Sequence, residues 1–166
     1  MFGIKMSTIQ RIAAWPLSWA FQKLGMGQKY VPGESGAIYV LETPFENNNL
    51  THNNAMYDYW VKQAQAAPEL QIGGPTMSWL HEALAECRRL STVPSPSVPC
   101  ITFCGELDQL VDNASIKRRM EKWPNAEFSM IRNAKHDVLT EIPEVGGDVM
   151  IQIFDFFARA NSAAKR

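Results

Sequence analysis

Cysteine is scarce in this sequence, and long apolar runs are missing. Its three cysteines, Cys87, Cys100 and Cys104, are odd in number. The last two fall within a segment that reads as a strand, where residues i and i+4 share a face about 13 Å apart. That separation excludes a disulfide between them, so the chain reads as one from a reducing compartment, the cytoplasm. The longest uncharged stretch near the N-terminus runs from Ile12 to Gln22, about half of the ~20 apolar residues a membrane-spanning helix needs. Pro16 interrupts it and no small-x-small cleavage site follows, which argues against a secretion signal. Charge of one sign is not in excess: 16 basic against 17 acidic residues leave a net charge of −1. With no basic run, nucleic acid is not an expected partner. No metal or cofactor is expected, because His81-Glu82 lacks the second histidine of a zinc-binding H-E-x-x-H helix and Cys100 and Cys104 lack partner ligands.

The composition that is present, 46% hydrophobic and 20% charged over 166 residues, is that of a folded soluble protein about one domain long. The texture changes near Leu90, where a Pro/Ser-rich run from Ser91 to Pro99 separates residues 1–90 from 91–166. Upstream, Ile9, Ile12, Ala13, Leu17, Ala20, Phe21 and Leu24 follow helical spacing, with Pro16 as a kink and Gly25 as a stop. This predicts an amphipathic helix or a broken pair. Further helices are expected over Asn54–Ala67 and, capped by Thr76, over Met77–Leu90. Downstream, short apolar strands at Cys100–Cys104 and Glu127–Ile131 alternate with helices at Ala114–Lys122, capped by Asn113, and Glu144–Ala160. The last helix carries Val149, Ile153, Phe156, Phe157 and Ala160 on one side. Strand, helix, strand, helix predicts an α/β architecture with parallel strands, preceded by a mainly helical part.

In open parallel sheets catalytic groups gather beyond the carboxyl ends of the strands. After the first strand come Asp108, Asp112 and Asn113; after the second come His136, Asp137 and Glu141. An acid after one strand and a histidine after its neighbour can face each other, the arrangement in which a carboxylate orients an imidazole. Asp108 can equally be a turn aspartate. Asp112 is the alternative acid, although with Asn113 it suits the start of the next helix. His52 and His81 read as structural or exposed.

The loop from Pro99 to Asn113, the loop from Asn133 to Glu141 and the helix ending in Phe154-Asp-Phe-Phe157 together resemble the C-terminal part of an α/β-hydrolase fold serine hydrolase, of the lysophospholipase L2 and monoacylglycerol lipase (serine aminopeptidase S33-like) type. Tyr30–Gly33 and Phe45–His52 resemble the lid of the lysophospholipase L2 branch. The resemblance implies a Ser-Asp-His triad with Asp108 as the orienting acid and His136 as the general base. It implies residues 1–90 as a helical lid and connecting core helix, residues 91–166 as the end of the hydrolase core, and a lysophospholipid or monoacylglycerol as the small-molecule lipid ester substrate.

The serine of such a triad sits in a G-x-S-x-G turn between a strand and a helix. The sequence holds no such motif; Gly33-Glu-Ser35-Gly-Ala37 lacks the last glycine and a preceding strand. Met1–Ile4 resemble an internal segment of the family, so the chain reads as a fragment whose N-terminal half of the hydrolase core, with the nucleophile, lies elsewhere. Two strands alone leave an open sheet edge able to pair or aggregate. Trp15, Trp19, Phe21, Met26, Tyr57, Tyr59 and Trp60 are candidates for lining an acyl-chain channel, against the plainer reading that each faces the core. Lys5, Arg11 and the tryptophan pair suit peripheral contact with the inner membrane. Two rival readings stay open: a non-catalytic remnant that binds lipid or a partner, and a relative of epoxide hydrolases or dehalogenases, which use an aspartate nucleophile.

Overall fold

Ser7 opens the first helix with a capping box: its hydroxyl accepts the Gln10 N–H, and the Gln10 side chain accepts the Ser7 N–H, satisfying donors the helix start would leave unpaired. Helix α1 (Thr8–Lys23) then continues through Pro16 as one helix rather than a broken pair. It stops at Gly25, whose φ of 71° lies in the left-handed region that glycine adopts without strain. The computed structural model describes residues 5–164, and the Met1–Ile4 resemblance lies outside the described residues.

After α1 come a short helix α2 (Tyr39–Glu42), a 3-10 turn at Phe45–Asn47, α3 (Asn54–Ala66), a second 3-10 turn at Pro68–Leu70 and α4 (Met77–Thr92). Asn53 caps α3 through the Met56 N–H, and Thr76 caps α4 through the Trp79 N–H. The remainder is β1 (Cys100–Gly105), α5 (Asn113–Met120), β2 (Ala126–Ile131) and α6 (Pro143–Ala164). The cap of α5 is Asp112, which accepts the Ser115 N–H, and not Asn113. The Asn113 amide instead donates to the Gly105 carbonyl at 2.7 Å, tying the acid loop's far end back to the strand it leaves.

Strands β1 and β2 pair in parallel, Cys100 opposite Ala126 through Gly105 opposite Ile131. With α5 as the crossover they form a βαβ unit, the α/β end of a chain whose first half is helical. Among the described residues the sheet has only these two strands.

Helices α1 and α4 pack closely because small residues line the contact. Ala14 is buried with Leu80 and Leu84, and Ser18 lies 3.2 Å from His81 Nδ1. His81 also packs against Trp15, the ring centroids 4.9 Å apart and the planes tilted by 41°. The buried face of α1 is therefore Ala14 and Ser18, not the predicted apolar stripe: Ile9 is 81% exposed, and Ile12, Leu17 and Leu24 are exposed too. Periodicity locates an apolar stripe without saying what covers it. A similar split marks α6, where Val149 and Phe156 are buried while Phe154 is 66% exposed and Met150, Ile151 and Phe157 also face outward. Phe157, expected inside, only leans edge-on against Phe156. No helix among the described residues is long and apolar enough to cross a membrane.

Candidate active site

Because β1 and β2 are parallel, both carboxyl ends open onto one edge, and the loops that follow them are stitched together. The Glu106 N–H donates to the Ile131 carbonyl and the Leu107 N–H to that of Ala134, both at 2.9 Å; the Glu106 carboxylate accepts the Asn133 N–H at 3.0 Å. Asn133 turns the second loop with a left-handed φ of 57°, a conformation asparagine tolerates better than most residues. Gly105 sits where the loops meet, against the carbonyl oxygens of Ala134 and Lys135.

These contacts bring Asp108 and His136 together. Asp108 Oδ1 accepts the N–H groups of Leu110 and Val111 at 2.7 and 3.2 Å, while Oδ2 lies 2.8 Å from His136 Nδ1. The aspartate side chain is 3% exposed and the imidazole 38%. An acceptor facing Nδ1 places the ring proton there and leaves Nε2 as the free base, the tautomer an acid-oriented histidine requires. One Asp108 oxygen thus makes the turn while the other faces the ring. Asp112 is not brought to His136. Its carboxyl is held below the usual range chiefly by the Ser115 hydroxyl, with smaller contributions from that residue's N–H and from Arg118 and Arg11.

A cavity of about 610 Å³ opens beside His136, walled by α1, the start of α4 and the acid loop. Its apolar walls include Met6, Ala13, Leu17, Val31, Trp79 and Leu110. Among the channel candidates, none of Trp15, Trp19, Phe21, Met26, Tyr57, Tyr59 or Trp60 lines it. Tyr57 is core, its hydroxyl donating to the Thr43 carbonyl at 2.7 Å. Trp60 borders a separate cavity with Ile38 and Leu70, and Trp19 and Tyr59 are exposed. The large aromatics draw attention by size, whereas the cavity follows from which side of α1 meets the acid loop. Lys5 and Arg11 also point to that loop: the Lys5 ammonium donates to the Asp108 carbonyl at 3.1 Å, and Arg11 lies 4.0 Å from Asp112. Ser35 is occupied elsewhere, its hydroxyl donating to the Glu42 carboxylate and accepting the Ala37 N–H.

Two neighbours of the pair carry no motif in the sequence. Glu141, noticed there only as part of a resembling loop, is a buried carboxylate behind the histidine loop, and His52 lies on it at 3.1 Å. Cys104, next to the last residue of β1, is buried. Burial first, and the Asp108 charge second, push its thiol up to about 11. At pH 8 its thiolate fraction is then about one in a thousand, so native-state alkylation is expected to be more than about 100-fold slower than in the unfolded chain. Mass-spectrometric counting of iodoacetamide adducts with and without denaturant checks this.

The family model described as serine aminopeptidase, S33 matches residues 1–143. "Probable lysophospholipase L2" of Haemophilus influenzae is 31% identical over 134 residues, covering 80% of this chain and 42% of that protein. Lysophospholipase L2 of Escherichia coli K12 is 29% identical over an alignment of 170 positions, covering 98% of this chain and 49% of that protein. The chain spans about half the length of these relatives. A soluble variant of monoglyceride lipase from Saccharomyces cerevisiae, solved in complex with a substrate analog, superposes with a TM-score of 0.62 at 12% identity, over 95% of this chain and 53% of that one. That likeness is one of fold, and it takes in the parallel strands together with their flanking helices. The chain therefore belongs to the serine aminopeptidase S33 family of α/β hydrolases.

Proposed function

We propose that this chain supplies the acid and the base of a serine carboxylic-ester hydrolase acting on lysophospholipids or monoacylglycerols, and that the attacking serine comes from sequence outside these 166 residues. The observation that carries the reading is the 2.8 Å contact of Asp108 with His136 Nδ1 at the wall of an apolar cavity. Nε2 is then free to take the serine proton as Oγ attacks the ester carbonyl, and to return it to the leaving alcohol. Asp108 holds the tautomer and stabilises the imidazolium formed between those steps. A cavity of this size with mainly apolar walls and a few polar groups, Gln10, Glu34 and His136, suits a single acyl chain with its ester at His136. The names of the lysophospholipase L2 relatives support that substrate class.

The serine is assigned elsewhere because no G-x-S-x-G occurs in the chain and Ser35 is bonded to Glu42. The exposed apolar faces of α1 and α6 support this, since solvent-facing patches of that kind ordinarily rest on another surface; here that surface is the N-terminal half of the hydrolase core. The three free thiols fit the cytoplasm, with lipid taken up by peripheral contact at the inner membrane.

The test has two parts. The 166-residue chain alone is expected to show no ester turnover. The polypeptide extended through the reading frame upstream of Met1 is expected to carry a G-x-S-x-G turn and to hydrolyse lysophospholipid, with activity lost to a serine-directed covalent inhibitor and to His136→Ala. Turnover by the shorter chain that both treatments abolish would overturn the outside serine. An in-frame stop codon directly upstream, or an inert extended polypeptide, would leave the non-catalytic module as the better account.

A further inference from the structure

The histidine loop does not stand on β2 alone. Its backbone is bonded to a segment more than 80 positions earlier: the His136 N–H donates to the Asn49 carbonyl at 3.3 Å and the Asp137 N–H to that of Leu50 at 2.9 Å. The Lys135 ammonium donates to the Asn48 carbonyl at 2.8 Å, and the Thr51 hydroxyl to the Thr140 carbonyl at 2.8 Å. At the centre of this seam lies a carboxylate with a side chain only 1% exposed, that of Glu141. Its Oε1 accepts the Lys135 N–H at 2.7 Å and faces His52 Nδ1 at 3.1 Å, and its Oε2 accepts the His52 N–H at 2.9 Å. Removing a carboxylate from water is costly unless donors replace its hydration, and here each donor comes from one of the two segments to be joined.

We infer that Glu141 is a positioning residue: its buried carboxylate clamps residue 135 of the histidine loop to residue 52 of the lid-like segment, and so sets the His136 ring against Asp108. The inference rests on the catalytic reading of Asp108 and His136 for its importance, but not for its test. Lys135 is the residue immediately before His136, so the bond to its N–H fixes the peptide plane from which the imidazole leaves the loop. The direct backbone bonds at Asn49 and Leu50 set the register of the two segments. The carboxylate sets their distance, because it bonds both at once through one rigid group. Charge-assisted hydrogen bonds of this kind are the stronger class.

The ring nitrogens of His136, labelled with ¹⁵N, report the result in the 166-residue chain without any assay of turnover. The wild type is expected to show one tautomer, with the proton on Nδ1, and a low-field Nδ1–H resonance that Asp108→Ala removes. Glu141→Gln is nearly isosteric but turns an amide donor toward donors. It is expected to mix the His136 tautomers, broaden the Nδ1–H signal, and speed hydrogen exchange at the Lys135 and His52 amides by about 10- to 100-fold. His52→Ala removes one donor from the half-exposed side and is expected to produce a smaller change in the same signals. Glu141→Gln with faster amide exchange but an unaltered His136 tautomer and Nδ1–H signal would overturn the inference, leaving a carboxylate that only stabilises the fold. Where Glu141→Gln does not fold, Glu141→Asp takes its place, its carboxylate one methylene too short to bond residues 135 and 52 at once, and wild-type His136 signals in it would likewise overturn the inference. A complete enzyme without esterase activity would defeat the functional reading while leaving these signals as expected, so the two failures are distinguishable.

Discussion

Asp108→Asn is expected to lower ester hydrolysis by about 10⁴-fold in the complete enzyme while leaving lipid binding in place. The size of the effect follows from how the carboxylate is held. Oδ1 accepts two backbone N–H groups, from Leu110 and Val111, and Oδ2 faces His136 Nδ1. An asparagine has one acceptor oxygen for these two places. Set toward the turn, where two donors await it, the oxygen leaves the amide NH₂ aimed at Nδ1, and the imidazole must move its proton to Nε2 to accept. The nitrogen that should take the serine proton is then already protonated. The reverse orientation would press NH₂ against two N–H groups in a buried place, which costs more than the tautomer change. Single-turnover hydrolysis of a lysophospholipid, beside equilibrium binding of a non-hydrolysable analogue, separates the chemical step from binding. An Asp108→Asn enzyme within about tenfold of wild type would reassign the acid.

Gly105→Ala is expected to destabilise the fold of this chain by about 3 kcal/mol. A Cβ at that position would overlap the carbonyl oxygens of Lys135 and Ala134. These are backbone atoms of the histidine loop and cannot rotate away as a side chain could. Relief requires the loop to lift from the end of β1, which strains the bond from the Leu107 N–H to the Ala134 carbonyl and draws His136 away from Asp108. Urea unfolding of the two chains measures the loss from the shift in midpoint at constant slope. The same samples should show the Nδ1–H resonance of His136 weakened in the folded baseline. A substitution tolerated within about 0.5 kcal/mol would mean that the two loops approach less closely than described.

Much of the secondary structure could be read locally. Thr76 caps α4, the alternation of strands and helices after Pro99 is as expected, and α3 and β2 lie within a residue of their expected bounds. Caps, glycine stops and apolar periods depend on neighbours within a turn or two, which a sequence displays directly. The fold class was legible for the same reason, since the order strand, helix, strand, helix needs only those local assignments. The placing of candidate acid and base after successive strands also required nothing more than the rule that such strands end on a common edge.

The misreadings concern contacts made across the chain. The stripe of Ile9, Ile12 and Leu24 on α1 has the right period for a core face, yet the helix packs on α4 through Ala14 and Ser18, because small residues permit a closer approach. The large aromatics weighed as channel candidates do not line the cavity beside His136, whereas Trp79 and Leu110 do, because α4 and the acid loop meet there. The cap of α5 is Asp112 where Asn113 was expected, and Asn113 bonds back to Gly105.

Composition and pattern were enough to determine an α/β chain with a helical first half, and an acid and a histidine standing after its two strands, because those features are set by residues close in sequence. Which aspartate faces the histidine, which residues wall the cavity, and that a buried Glu141 joins the histidine loop to His52 were decided by the tertiary structure. The acid and the histidine are 28 positions apart and Glu141 and His52 are 89 apart, and the cavity draws on both halves of the chain; packing, not any local signal, brings these groups together.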